Sequence, residues 1–260
     1  MILKSIHFKK PYNQQEYPFF LPLFQSFQSM TFTKPVTILV GENGTGKSTL
    51  LRSVAYAANS ISIGSTDQYN EIKPLASSLK LTWSIRSMTG FFLNSEDFVN
   101  YVKRLTGMRE EAKRNLVEIE KEYQNKSLYA KNLASMPHNR TLGELEHLYE
   151  DGLEFRSHGE RYLHFFQSRF KPNGLYILDE PEVPLSPMKQ LTFISMLKEM
   201  VNENAQFIIA THSPMLMAVP DAEIISLDTL PPEKTRFEDL EHVQVTRSFL
   251  ENPNRYLRYL

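Results

Sequence analysis

Residues 36–49 decide the fold, and they read Val-Thr-Ile-Leu-Val-Gly-Glu-Asn-Gly-Thr-Gly-Lys-Ser-Thr. Residues 36–40 are apolar or β-branched, which predicts a short buried strand of a parallel sheet. Gly41 to Ser48 match the pattern G-x-x-x-x-G-K-[ST], and a helical pattern follows from Ser48 to Ala58. A strand, a glycine-rich loop and a helix in this order predict a loop that wraps phosphate groups.

The residue types of this loop fit the chemistry of phosphate binding. Glycines let backbone N–H groups turn toward phosphate oxygens, and the helix N-terminus adds a partial positive charge. Lys47 would reach the β- and γ-phosphates, and the Ser48 hydroxyl would bind Mg²⁺. The alternative, a glycine-rich turn that binds nothing, is disfavoured by the flanking strand and helix. The predicted nucleotide-binding residues are Asn43, Gly44, Thr45, Gly46, Lys47, Ser48 and Thr49.

Polar residues follow two further apolar runs, at residues 175–178 and 207–210. The carboxyl ends of parallel strands meet at the edge of the sheet where ligands bind. There Asp179 can hold Mg²⁺, and Glu180 can orient or deprotonate an attacking water. His212 follows the second run, so contact with a γ-phosphate is geometrically plausible. An acidic pair after a strand is more often a solvated turn, but the phosphate loop upstream favours the catalytic interpretation.

The remaining pattern predicts strands that alternate with helices, which indicates an α/β fold with a mostly parallel sheet covered on both faces. Residues 61–74 are polar and predict a loop. Two helices are expected at 94–105 and 108–129, with Gly107 between them, and the second is a surface helix or a short hairpin arm. The other predicted strands are Ile2 to Phe8, Met30 to Thr33, Leu79 to Ile85 and Glu223 to Leu227, and the other predicted helices are His158 to Phe170 and Pro187 to Val201.

Composition narrows the class of protein. The 260 residues are 41% hydrophobic, which is enough for the core of one large α/β domain. With 29 basic and 30 acidic residues the net charge is −1, so no overall basic field calls for nucleic acid. The absence of cysteine excludes disulfides and cysteine-ligated metals. No apolar run approaches the ~20 residues of a transmembrane helix, and we expect a cytoplasmic protein.

The motifs together resemble the ABC-type ATPases, and more narrowly the compact bacterial AAA-family ATPases related to SMC and DNA-repair ATPase heads. The resemblance covers Val36 to Leu227, with the phosphate loop as Walker A, residues 175–182 as Walker B and residues 209–214 as the switch-histidine loop. It implies a P-loop NTPase fold with an ABC-type mixed, mainly parallel sheet. It further implies one ATPase domain over residues 1–260, a helical lobe inserted at about 90–170, and ATP and Mg²⁺ as cofactors.

The resemblance also implies a signature motif that acts across a head-to-tail homodimer. Residues 156–160, Arg-Ser-His-Gly-Glu, occupy its place, against the usual Leu-Ser-Gly-Gly-Gln. Ser157 and Gly159 would grip the γ-phosphate held by the other subunit, with Glu160 completing the site. Without the family, Ser157 and Glu160 form a capping box, and both interpretations can hold together.

Two features of the family lack a clear match in the sequence. The glutamine that couples Mg²⁺ to the helical lobe has no counterpart, and the stretch from Gly90 to Asn94 is the one available to replace it. Tyr17 and Phe19 are the aromatic residues that could stack on adenine.

The predicted function is an ATP-dependent switch that opens and closes two heads and acts on a nucleic acid or protein partner. Three alternatives remain open. A transporter's nucleotide-binding subunit would co-purify with a membrane protein. A binding module would close around ATP with negligible turnover. A small-molecule kinase would need a phosphate-acceptor pocket and would leave residues 156–160 without a role.

Overall fold

The computed structural model describes residues 1–9, 16–64, 70–148 and 158–258, and its core is a sheet with helices on both faces. The strands are β1 (Leu3–Phe8), β2 (Ser29–Thr31), β3 (Val36–Val40), β4 (Ile61–Ile63), β5 (Leu79–Trp83), β6 (Gly90–Asn94), β7 (Leu175–Asp179), β8 (Gln206–Ala210), β9 (Glu223–Ser226) and β10 (Glu233–Thr235). The helices are α1 (Pro22–Ser26), α2 (Lys47–Ala57), α3 (Lys73–Ser78), α4 (Ser95–Glu122), α5 (Leu128–Leu148), α6 (His158–Arg169), α7 (Pro187–Asn202), α8 (Pro214–Met217), α9 (Glu241–Glu251) and α10 (Asn254–Leu257), with a 3₁₀ helix at Phe237–Asp239.

Seven strands form the main sheet in the order β10-β9-β3-β8-β7-β6-β4. Every neighbouring pair from β9 to β4 is parallel, and only the edge strand β10 is antiparallel. Because both faces are covered, β3, β7 and β8 are buried along their whole length. The order confirms the predicted P-loop NTPase fold with a mixed, mainly parallel sheet. It also places the carboxyl ends of β3, β8 and β7 side by side.

Each face of the sheet packs into its own hydrophobic core. One core is rich in aromatic residues from α6, α7 and the sheet, with Tyr162, Phe166 and Phe193 fully buried. The other joins α2 to a second, antiparallel sheet of order β2-β1-β5. Together these layers hold the loops after β3, β7 and β8 on a rigid base.

A buried glutamine links the two sheets. Gln206, at the start of β8, accepts hydrogen bonds on Oε1 from the N–H groups of Ile2 and Leu3, both at 2.8 Å. Its Nε2 donates to the Leu3 carbonyl at 3.0 Å. Three buried backbone groups of the first strand therefore depend on this one side chain.

We expect Gln206→Ala to lower the free energy of unfolding by about 3 kcal/mol, since each buried backbone group left unpaired costs roughly 1 kcal/mol or more. Urea denaturation followed by circular dichroism measures this change. Gln167→Ala, at an exposed position of α6, is the matched control and should leave the free energy of unfolding unchanged. A loss below about 1 kcal/mol for Gln206→Ala would show that the first strand is held by its pairing with β2 and β5 and by apolar packing, and not by Gln206.

Between α2 and α6 the structure differs from the sequence prediction in three places. Helix α4 runs through Gly107 without a break, because one interior glycine costs only about 1 kcal/mol and α5 packs along α4. Helix α5 was not predicted and contains Pro137. Residues 61–74, predicted as a loop, include β4 and the start of α3. Residues 108–129, predicted as a surface helix or a short hairpin arm, form the second half of α4, the turn after it and the start of α5, so the hairpin is longer than predicted.

The boundary of this helical part also shifts slightly. Residues 90–94 are β6, a strand of the main sheet, so the helices begin at Ser95 rather than at 90. None of the helices in the described ranges is long and apolar enough to span a bilayer.

Candidate active site

The phosphate loop closes around its own lysine. Lys47 Nζ donates to the carbonyl oxygens of Gly41 at 2.6 Å and Glu42 at 2.9 Å. Gly44 and Gly46 have φ of +84° and +99°, a region that favours glycine. At Gly46 an added Cβ would also approach Leu23 Cδ2 at 3.2 Å. The positive φ therefore explains why both positions are glycine.

Lys47 lies among carboxylates in a nearly dry environment, with only 5% of the residue exposed. Burial lowers the pKa of the Lys47 ammonium, while the carboxylates of Glu180, Asp228, Asp179 and Glu42 oppose that shift. Cationic and anionic groups therefore meet at the mouth of the loop, as a site for a phosphate with a bound cation requires.

Asp179 ends β7 and is 1% exposed. Its Oδ2 accepts a hydrogen bond from Asn94 Nδ2 at 2.7 Å, but its Oδ1 is buried with no partner among the described residues. Burial raises the pKa of the Asp179 carboxyl, and the nearby Ser48 hydroxyl and the hydrogen bond from Asn94 act in the opposite direction. An orphaned buried carboxylate oxygen is unfavourable. The Asp179 carboxylate and the Ser48 hydroxyl offer oxygen atoms of the kind that Mg²⁺ prefers.

Asn94 contacts Asp179 and ends the stretch from Gly90 to Asn94, which the sequence analysis offered as a replacement for the missing glutamine without assigning a role to Asn94 itself. Strands β6 and β7 pair with Asn94 opposite Asp179. Asn94 Oδ1 also accepts from the Glu96 N–H at 2.9 Å and so caps α4. The long helix α4 therefore begins at the side chain that holds Asp179. An asparagine that ends an apolar run just before an acidic first turn was the available signal.

Glu180 is held by its backbone in an unusual conformation. Its φ is +51°, which is uncommon for residues other than glycine. The Glu180 N–H donates to the Ala210 carbonyl at 2.8 Å, and the Ser95 hydroxyl donates to the Glu180 carbonyl. The side chain is 40% exposed and free to meet a water. These hydrogen bonds fix the backbone of Glu180 and do not involve its carboxylate.

His212 faces Glu180 from the end of β8. Its Nε2 lies 3.9 Å from Glu180 Oε1 and is buried with no hydrogen-bond partner among the described residues. Burial and the nearby Lys47 ammonium lower the pKa of His212, although Glu180 opposes this. The lowered pKa favours the neutral imidazole, which can serve as a hydrogen-bonding group for an incoming ligand.

The other predicted loop residues lie on the same rim. Asn43 and Gly44 are exposed, and Thr45, Gly46, Ser48 and Thr49 are half-buried. Thr49 Oγ1 is 3.1 Å from the Tyr17 hydroxyl, and 43% of Tyr17 is exposed, so this ring remains a candidate for adenine. Phe19 is 6% exposed and stacks on Phe8, which makes the interpretation of Phe19 as an adenine platform wrong.

Of the three predicted signature residues, Gly159 and Glu160 lie within the described residues. Ser157 lies outside the described residues. Gly159 is buried at the start of α6, where an added Cβ would come within 2.8 Å of the Pro184 carbonyl oxygen. Glu160 lies 3.7 Å from Lys189 Nζ on α7. The described contacts of Gly159 and Glu160 are thus with the turn after β7 and with α7.

Comparison with known proteins finds a family model that is similar to part of the chain. Residues 20–135, slightly less than half of the chain, match a family model described as an AAA domain. No curated protein sequence matches the chain. The match includes the phosphate loop, and together with the parallel sheet order it supports the P-loop NTPase fold predicted from the sequence.

Among solved structures the chain is similar to an SMC head domain from Thermotoga maritima, with 15% identity over 90% of this chain and 98% of that chain and a TM-score of 0.45. It is similar to the ADP conformation of an ATP-binding cassette of an ABC transporter, with 15% identity over 97% and 96% of the two chains and a TM-score of 0.47. A third is a dimeric post-hydrolysis state of an ATP-binding cassette bound to ADP and Pi, with 14% identity over 90% and 98% and a TM-score of 0.41.

Proposed function

We propose that this chain binds ATP with Mg²⁺ and hydrolyses it. The proposal rests on the convergence of three strand ends, which bring Lys47, Asp179, Glu180 and His212 together. Two buried atoms there, Asp179 Oδ1 and His212 Nε2, have no hydrogen-bond partner among the described residues. Buried polar atoms are rarely left unpaired in folded proteins, so these two favour a site completed by a ligand.

Each residue has one role in this proposal. Lys47 and the N–H groups of the phosphate loop bind the β- and γ-phosphates. Ser48 and Asp179 would hold Mg²⁺, which supplies positive charge to the phosphate oxygens when bound. Glu180 orients the attacking water and accepts its proton. His212 contacts the γ-phosphate through its ring.

We further propose that a second copy completes the site. In a head-to-tail homodimer, Ser157, Gly159 and Glu160 of one subunit would lie against the γ-phosphate bound by the other. The start of α6 would then present N–H groups to an anion, as helix N-termini do. Hydrolysis would release the dimer, and this opening and closing would act on a nucleic acid or protein partner.

Phosphate release from ATP by the purified wild-type chain tests the proposal. We expect steady release in the presence of Mg²⁺ and none with a chelator in excess. The reason is that Mg²⁺ would supply positive charge to the phosphate oxygens, and the Asp179 carboxylate without the metal does not. A measurement of ATP affinity by calorimetry belongs beside it. Tight binding without any release would contradict hydrolysis and leave a nucleotide-binding module.

A further inference from the structure

The loop that carries His212, residues 211–214, is anchored to the turn that follows β7, residues 180–186. We call the first the switch loop and the second the catalytic turn. Glu182 Oε1, in the catalytic turn, accepts hydrogen bonds from the N–H groups of His212 at 2.9 Å and Ser213 at 3.2 Å. Hydrogen bonds from N–H groups to a carboxylate are charge-assisted and stronger than neutral ones.

A second anchor reaches the same loop from α7. The Ser213 hydroxyl donates to Gln190 Oε1 at 2.6 Å, and Gln190 Nε2 donates to the Leu185 carbonyl at 3.2 Å. Ser213 Oγ also accepts from the N–H groups of Met215 and Leu216 and caps α8. The far end of the switch loop is thus fixed by α7 and α8, whereas the N–H of His212 is held by Glu182.

The Glu182 carboxylate has only part of its bonding capacity in use. Its Oε2 is buried and has no hydrogen-bond partner among the described residues. Such a group is costly to keep in a protein interior, and an apolar residue would avoid that cost. We therefore take the two hydrogen bonds to the switch loop as the structural role of Glu182.

We propose that Glu182 is a positioning residue that sets His212 relative to Glu180. Glu182 lies two residues after Glu180 in the same turn, so its bonds to the switch loop join the two reacting groups into one rigid unit. The inference rests on the proposed function, because positioning matters only if Glu180 and His212 act on one phosphate. A displacement of about 1 Å in such a unit can cost on the order of 100-fold in rate.

Two substitutions at this position separate positioning from folding. Glu182→Ala removes both hydrogen bonds, and we expect kcat for ATP to fall about 10- to 100-fold with KM changed by less than about threefold. Glu182→Gln keeps an amide oxygen that accepts the same two N–H groups, so we expect its kcat within about threefold of the wild type. Glu203→Ala, at an exposed position after α7, should have no effect.

Hydrogen exchange provides a readout that does not depend on activity. The amide of His212 should exchange at least about tenfold faster in Glu182→Ala than in the wild type or Glu182→Gln, with β8 unchanged. The amide of Ser213 keeps a hydrogen bond to Thr211 Oγ1 at 3.0 Å and should change less. Unchanged exchange in Glu182→Ala, or a kcat as low in Glu182→Gln as in Glu182→Ala, would overturn the inference. So would a parallel loss of ATP affinity and thermal stability in Glu182→Ala. A wild-type chain without phosphate release would instead refute the proposed function. Faster exchange in Glu182→Ala would then still show that Glu182 anchors the switch loop, without a role in catalysis.

Discussion

Glu180→Gln should lower phosphate release from Mg-ATP by about 100- to 1,000-fold and leave ATP affinity within about threefold of the wild type. The substitution keeps the shape of the side chain and removes its ability to accept a proton. Two backbone bonds, to Ala210 and from Ser95, fix the conformation of residue 180 and do not involve the carboxylate. The variant should therefore retain the geometry of the site and lose the chemical step alone.

The same variant should accumulate an ATP-bound dimer, because hydrolysis is the step that would release the two subunits of the proposed dimer. Light scattering after size-exclusion chromatography should give a dimer mass with Mg-ATP and a monomer mass without nucleotide. Adding Ser157→Arg should restore the monomer, since a bulky cation would replace the group that meets the γ-phosphate in the partner. Glu203→Gln, at an exposed position, serves as the matched control for turnover and mass.

Two outcomes would separate the parts of this prediction. Unchanged turnover in Glu180→Gln would exclude Glu180 as the group that accepts the proton from water. A monomer under every condition would exclude a site completed by a second copy, while leaving the phosphate loop and the metal ligands of one chain untouched.

The sequence predicted most of the residues that surround the proposed phosphates, for a local reason. The strands β3, β7 and β8 are short apolar runs, and each is followed at once by a polar residue or a glycine. Because parallel strands share one carboxyl edge, three local patterns suffice to bring Lys47, Asp179 and His212 together. Neither the detailed hydrogen bonds nor the spatial order of the strands was needed for that step.

The contacts that tie these groups together could not be predicted, because they join distant parts of the chain. Asn94 meets Asp179 only through the pairing of β6 with β7. Glu182 meets the N–H of His212 across 30 residues. Glu182 carries no sequence pattern of its own, and the pattern around Asn94 does not tell which residue of another strand its side chain contacts. The continuous helix through Gly107 shows the same limit, since packing overrides a local preference of about 1 kcal/mol.

Lys47→Ala should weaken ATP binding by about 100-fold or more, because a charged hydrogen bond contributes roughly 1.5–3 kcal/mol and Lys47 would make more than one to the β- and γ-phosphates. Its ammonium also interacts electrostatically with several carboxylates around the loop, those of Glu180, Asp228, Asp179 and Glu42. Without Lys47 these carboxylates would repel the incoming triphosphate, which adds to the loss.

Calorimetric titration with Mg-ATP measures this loss, and Lys198→Ala, at an exposed position of α7, is the matched control. Lys47→Arg should recover only part of the affinity, because the planar guanidinium does not fit the pocket in which the ammonium donates to the Gly41 and Glu42 carbonyls. If Lys47→Ala bound ATP within about threefold of the wild type, the loop would not be the phosphate site. The buried ammonium would then have only a structural role, closing the loop through those two carbonyls.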